Sequence, residues 1–418
     1  MINMSETAVS KKDPYAALRF KDYRCYISTR VLLAIALQIQ VVIVGWHVYS
    51  MTKDPLSLGL IGLVEILPNF SVTLFAGHFA DIYDRKKIVM SCLCVLMFSG
   101  IALYTVNHMV PDLHKKLALI YLIIACTGFA RGTLSPSLFS ILTECVPKVH
   151  YLNSTTWNST LWQIAVMVGA GSSGFLFAGL GYDAYLIMSG FVFCAIIAFS
   201  LMSPKPHLTK KDRKAPVFSS IKGGIKYVFS NQVFLGALSL DLFAVLFGGA
   251  VALLPIFAQD ILKVGPQGLG FLKAAPSVGS FMMAAVNVYW PPIKNTGKKL
   301  LAAVFCYGVC MIIFALSKSF LLSVFILALS GAFDNISVVV RGTILQQLVP
   351  DDMKGKVFAV NSMFIGSSNE IGEFESGMAA KAMGVIPSVI FGGTMTLLVV
   401  IFTAFKAPKL KNLNFENN

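Results

Sequence analysis

Apolar residues run along this chain in blocks of about twenty, the length an α-helix needs to cross the hydrocarbon core of a bilayer. The blocks predict helices at 27–49, 56–80, 88–106, 117–138, 154–179, 184–203, 234–258, 269–290, 299–316, 320–340, 357–380 and 386–405. Their apolar character is continuous, without the in-out alternation of a strand. A membrane span must satisfy its own backbone hydrogen bonds, so unbroken runs mean helices and exclude a barrel. The connections are short except for PKPHLTKKDRKAPVFSSIKGGIKYVFSNQ, Pro204 to Gln232, which is basic and broken by proline. The expected architecture is therefore an all-α membrane protein of twelve transmembrane helices in two six-helix bundles. A tail (1–26) precedes the first bundle (27–203), a basic linker (204–233) leads to the second (234–405), and a second tail (406–418) follows.

Composition agrees with this reading. Hydrophobic residues make up 56% of the chain and charged ones 13%, with a mean hydropathy of +0.73, too apolar for a surface wetted on all sides. The polar, basic N-terminal segment lacks the apolar core and small-residue cleavage site of a signal peptide, and is expected to stay cytosolic. With the N-terminus inside, most of the 34 Lys and Arg residues fall in cytoplasmic tails and loops. That bias predicts a multi-pass protein of the inner (cytoplasmic) cell membrane with both termini cytoplasmic. A net charge of +14 spread over loops that flank helices reads as attraction to anionic lipid headgroups, with no nucleic-acid partner. The 8 cysteines show no C-x-x-C spacing and read as small packing residues, so no metal or cofactor is expected. The absence of a P-loop, a metal-spaced His/Cys cluster or a catalytic-triad spacing argues against an enzyme and against ATP-driven chemistry.

The two halves are related. GFARGTLSPSLFSILTECVP (128–147) aligns without a gap on GAFDNISVVVRGTILQQLVP (331–350), GLVEILP (62–68) on GFLKAAP (270–276) and, more weakly, ISTR (27–30) on LSLD (238–241). At each aligned charge the sign inverts: Arg131 against Asp334, Glu65 against Lys273, Arg30 against Asp241. A lone ionised side chain at mid-bilayer costs roughly 2.5–3.5 kcal/mol on the lenient insertion scale. Such groups are therefore expected to face water or an opposite charge. The inversion predicts complementarity between the halves, with Glu65–Lys273 as an outer gate that favours the outside-closed state and Arg131–Asp334 as a cavity pair that favours the inside-closed one. Arg30, about a turn from the cytoplasmic face, also reads as a residue that snorkels.

Further candidates are acidic. Glu370, Glu373 and Glu375 form the densest acidic group, with Glu370 and Glu373 on one face at i, i+3. They suit a site that loads and releases a proton, and equally a hydrated crevice. Asp241 and Asp334 are rival proton sites, and His47 beside Trp46 is another. Trp46, Trp157 and Trp162 read as lipid-facing or packing groups whose place in helices 1 and 5 makes a binding role worth testing.

One charged stretch, GHFADIYDRKK (77–87), ends the second apolar block. It resembles motif A of the major facilitator superfamily through Gly77, Asp81, Arg85 and Lys86, with Asp84 where a glycine is usual and Ile82 where an arginine is common. FKDYRCYISTR, LSLGLIGLVEILP, LDLFAVLFGGAVALLPIFA, GLGFLKAAPSVGS and SSNEIGEFESG resemble segments of the subfamily that contains the enterobactin exporter and macrolide-efflux-type proteins. The resemblance implies a central cavity lined mainly by helices 1, 4, 7 and 10, and alternating access by a monomer. It implies export, coupled to protons, of a medium-sized organic molecule of the siderophore or drug type. It also implies that Asp81 and Arg85 latch the cytoplasmic side against the start of helix 11 near Lys356 and Val357. The motif C pattern of helix 5 is present as GAGSSG (169–174), with Ala170 in place of proline. That departure keeps an uncoupled facilitator or importer in view as the second reading.

Overall fold

The computed structural model describes residues 13–82, 84–203, 225–248, 250–292 and 294–415, leaving aside the side chains of 73–82, 140, 143, 148, 152, 351–352, 354–356, 358–359, 362–363 and 367. Twelve of its helices reach 16 residues or more. They are α1 (Lys21–Thr52), α2 (Pro55–Ile82), α3 (Arg85–Met109), α4 (Leu113–Cys145), α5 (Tyr151–Leu180), α6 (Ala184–Ser200), α7 (Gln232–Phe247), α8 (Gly265–Tyr289), α9 (Thr296–Leu316), α10 (Phe320–Leu348), α11 (Asp351–Met383) and α12 (Val385–Lys406). Nine stretches are long and apolar enough to cross a membrane, one of them, 153–200, running through both α5 and α6.

Local chemistry sets the ends. The Asp84 carboxylate accepts from the Lys86 amide at 2.9 Å, Asp112 from Lys115 at 2.8 Å and Asn231 from Val233 at 3.0 Å, each satisfying a first-turn N–H that has no partner within its helix. Asp84, the departure from the motif A glycine, is thus the cap of α3. At the other ends, Gly181 (φ +57°) and Gly384 (φ +92°) turn the chain sharply through left-handed backbone that glycine adopts without strain.

One expected helix is interrupted. The run 234–258 predicts a continuous span, but α7 stops at Phe247, and the chain resumes helical geometry only at Leu254–Ile256 and a wide turn over Phe257–Ile261. Gly248 and Gly249 weaken the helix at that point, and Pro255 supplies no N–H to it. The Gly248 carbonyl accepts from the Ala250 amide at 2.8 Å and from the Tyr307 hydroxyl at 3.2 Å.

The packing repeats. α1 packs on α5 and α6, α2 on α4, and α3 on α4 and α6; in the second half α7 packs on α11 and α12, α8 on α10, and α9 on α10 and α12. Between halves the largest contacts are α2 with α11 and α5 with α8, which exchange under the same two-fold correspondence. The start of α1, the start of α3 and the end of α6 meet on one face of the bundle, where Asp22 accepts from the Ser203 amide and Lys86 donates to the Met202 carbonyl, and the start of α7 and the end of α12 lie on the same face. The α1–α2 turn and the α7–α8 connection share the other, called here the distal face.

Close helix approach in lipid needs small residues, because the hydrophobic effect does not drive one greasy helix onto another. A Cβ at Gly128 of α4 would strike the Glu65 carbonyl of α2, and one at the aligned Gly331 of α10 would strike the Pro276 carbonyl of α8. Gly169 of the GAGSSG stretch packs on Ile35 and Gln38 of α1, and Gly174 on Pro266 and Gly270 of α8. Gly331→Leu is expected to remove folded, monodisperse protein from detergent extracts, since it exceeds even the ~1–3 kcal/mol of ordinary overpacking. Gly342→Leu on the same helix, where a Cβ meets open space, is expected to leave the yield unchanged.

Candidate functional site

Two groups of ionisable side chains lie inside the bundle. The first sits where the halves meet. On α2, the Glu65 carboxylate is buried and forms an ion pair with the Arg131 guanidinium of α4, the residue three positions beyond the glycine that brings those helices together. Across the seam, Glu373 of α11 lies against the α2 backbone, its Oε2 3.1 Å from where a Cβ would stand on Gly62. Glu370 is one turn away, and Lys273 of α8 lies within electrostatic reach of both. Arg131 in turn acts on Glu370 and Glu373. Two cations and three carboxylates from four helices and both halves therefore share one field. Glu375 is half-buried further along α11.

The second group belongs to the C-terminal half alone. Asp241 of α7 and Arg341 of α10 form an ion pair in which both side chains are 8% exposed. Asp334, two turns before Arg341, feels both charges. Tyr307 of α9, which holds the Gly248 carbonyl at the α7 break, lies within the same field.

This arrangement corrects the expected pairing. In this conformation, closed at its distal face, Glu65 binds Arg131 of its own half rather than Lys273, and Asp334 is the partner of neither. The reason lies in the packing: α2 touches α4 and α11, so positions related by the two-fold, such as Glu65 and Lys273, do not meet. The inverted signs instead preserve an acid–base couple within each half, Glu65 with Arg131 and Lys273 with Asp334. The first couple is formed, whereas among the described residues Lys273 and Asp334 make no ion pair and address Glu373 and Arg341 instead.

Contacts at the distal face tie the halves together. Asp260 accepts a hydrogen bond from the Tyr49 hydroxyl and one at 3.0 Å from Lys53 Nζ. The Gln259 amide donates to Ser50 Oγ at 2.9 Å, and Lys381 Nζ lies 3.3 Å from Asp54. Burial raises the proton affinity of Asp260, but the Tyr49 hydrogen bond and the Lys53 charge outweigh it, and its pKa lies below the ordinary carboxylate value. A lowered carboxyl pKa stabilises this closed face above the ordinary value, and that contribution is lost as pH falls through the lowered one. Asp260→Asn is expected to loosen the face. The readout is faster labelling by an impermeant maleimide of Ile61→Cys, at the seam between the halves, in a background free of native cysteines.

Motif A is seen only in part. Gly77, Asp81 and Lys356, and with them the expected Asp81 latch against α11, lie outside the residues whose surroundings are described. Arg85 pairs at 2.5 Å with Glu144 of α4, in its own half, and Lys86 Nζ donates to the Met202 carbonyl at 2.6 Å. His47 is buried between α1 and α6, its Nδ1 3.2 Å from the Tyr185 hydroxyl, away from both charged groups. The Arg30 guanidinium carbon stands over the Trp162 ring of α5, 4.5 Å from its centroid.

A family model described as "Transmembrane secretion effector", of the major facilitator superfamily, matches residues 12–418. The chain belongs to that family. Among similar proteins, the Staphyloferrin A transporter of Staphylococcus aureus is 22% identical over 419 residues, covering 94% of this chain and 98% of that one. The enterobactin exporter EntS of Shigella flexneri is 22% identical over 341 residues (80% and 79%), and the multidrug efflux pump Tap of Mycolicibacterium fortuitum 20% over 389 (91% and 94%). The fold is that of solved transporters. A D-xylose-proton symporter superposes with a TM-score of 0.70 at 12% identity over 94% of this chain and 99% of the other, and the nucleoside transporter NupG with 0.64 at 13% over 93% and 98%.

One buried charge, Arg341, is not among the residues that the sequence singles out. Arg341 falls one residue past the expected end of helix 10 at 340 and counted as a loop cation, whereas α10 continues to Leu348. The available signal was the continuing period of apolar positions Val340, Ile344 and Leu348 beyond it.

Proposed function

We propose that this chain is a proton-coupled exporter of a medium-sized organic molecule, of the siderophore or drug class, working by alternating access in the inner membrane of a bacterial cell with both termini cytoplasmic. The observation that carries the reading is the shared field of Glu65, Arg131, Lys273, Glu370 and Glu373 at the seam between the halves. Protonating one carboxylate removes one attraction across the seam. A bias of about 5.5 kcal/mol takes a two-state equilibrium from one extreme to the other, and smaller ones shift it in proportion. With the termini inside, the contacts of Tyr49, Lys53 and Asp54 close the outer side, and rocking the halves apart must break them. The names of the Shigella and Mycolicibacterium relatives, an exporter and an efflux pump, support the export direction, and those two with the Staphylococcus transporter support the substrate class.

Ala170 in place of the motif C proline favours a second reading, an uncoupled facilitator. The deciding experiment measures accumulation of a panel of siderophores and antibiotics in cells with and without the protein, with Asp334→Asn as the inactive control. A companion measurement records substrate-driven pH change outside inverted vesicles. Lower accumulation with a pH change supports the exporter, flux without a pH change supports the facilitator, and no flux for any compound removes both.

A further inference from the structure

Of the cations inside the bundle, Arg131 and Arg341 hold carboxylates and Lys273 faces two. Arg30 differs. Among the described residues it makes no ion pair, its Nε has no hydrogen-bond partner, and its guanidinium carbon stands 4.5 Å over the Trp162 ring. One turn along the same face of α5, the side-chain oxygen of Asn158 is also buried and unpartnered. The α1–α5 seam fixes this trio from both sides. Toward the termini face the Tyr23 hydroxyl donates to the Ser154 carbonyl at 2.6 Å, and in the other direction Gly169 brings α5 onto the backbone of Ile35. The neighbouring Trp157 is already engaged, donating its indole N–H to the Pro14 carbonyl at 2.8 Å.

We infer that Arg30, Trp162 and Asn158 form a binding subsite for an organic anion that carries a hydroxyl beside its carboxylate. A guanidinium held over an aromatic ring spends none of its N–H donors on that contact, and its terminal nitrogens can still take a carboxylate through two parallel hydrogen bonds. The anion supplies the counter-charge that, among the described residues, no carboxylate gives to a partly buried Arg30. The Trp162 ring offers a flat apolar wall for the body of the ligand, and the Asn158 oxygen is an acceptor for the adjacent hydroxyl. Substrates of this class would meet the subsite on the half of the bundle nearer the termini. The inference deepens the transport reading and rests on it for biological purpose, while binding itself does not require flux.

The test is equilibrium dialysis of radiolabelled salicylate against the purified full chain in detergent, with benzoate, benzyl alcohol and benzylamine as competitors. Salicylate is expected to bind, benzoate to compete more weakly, and the alcohol and the amine not at all. Arg30→Gln is expected to weaken binding about tenfold or more, the loss of a charge-assisted hydrogen bond, and Arg30→Lys to recover only part of it. Asn158→Leu is expected to abolish the preference for salicylate over benzoate, a readout that stands even where the arginine variants fail to fold. The inference is overturned if salicylate does not bind, if folded Arg30→Gln binds it as the wild type does, or if Asn158→Leu keeps the preference. Binding through Arg30 in a protein that moves no compound would sink the exporter reading alone, and transport with Arg30-independent binding would sink the subsite alone.

Discussion

Arg131→Leu is expected to abolish transport and to cost the fold about 3–5 kcal/mol, because it strands the Glu65 carboxylate, 9% exposed, with no counter-charge. Glu65→Gln should cost less. The Arg131 it leaves behind is 30% exposed and retains the field of Glu370 and Glu373 across the seam. This asymmetry is specific to the geometry, since two equally buried partners would give equal losses. Reversing the pair as Glu65→Arg with Arg131→Glu is expected to recover most of the stability of either single reversal, while transport recovers only in part because Glu370 and Glu373 then face a carboxylate. Thermal melting in detergent and uptake into vesicles give the two readouts, and a double-mutant cycle isolates the coupling. A coupling near zero would mean that the two groups act independently and would remove the pair from the mechanism.

Arg341→Leu should be the most damaging substitution in the second half. Its ion pair with Asp241 is buried at both ends, and Asp334 lies in the same field, so losing the one cation leaves two carboxylates uncompensated. The expected loss is at the upper end of the ~3–5 kcal/mol for breaking a buried pair, seen as a large fall in melting temperature and in folded yield. Asp241→Asn should be milder, because Arg341 keeps Asp334 as a counter-charge. Adding Asp241→Asn to Arg341→Leu should restore stability relative to Arg341→Leu alone. A melting curve in which Asp241→Asn is the worse of the two would overturn the assignment of Asp334 as the reserve partner. The cluster adjoins the Tyr307–Gly248 contact at the α7 break, so these variants also test whether the break depends on the charges beneath it.

The sequence by itself determined the membrane class and the helical architecture. Chain-length apolar blocks, the gapless match of Gly128 with Gly331 and the string of motif segments are local properties, and the solvent leaves no other fold open to them. It also picked out Glu65, Arg131, Lys273, Asp241, Asp334, Glu370 and Glu373, because a charge inside an apolar run is conspicuous wherever the chain goes. Only the tertiary structure decided which of them meet. Sign inversion between aligned positions is compatible with pairing across the two-fold or within each half, and the choice depends on which helices touch, a property of packing with no sequence period. The same holds for Arg30. A basic residue near a helix end reads as one that reaches for headgroups until the neighbouring helix places Trp162 against it and, among the described residues, no ion-pair partner. The break in α7 is legible in the Gly-Gly pair at 248–249 and in Pro255, but a long apolar run masks such signals, and only the fold brings the Tyr307 hydroxyl of another helix to the Gly248 carbonyl at the break. Hydrophobic length is summed along the chain, whereas charge pairing is settled between segments far apart in it.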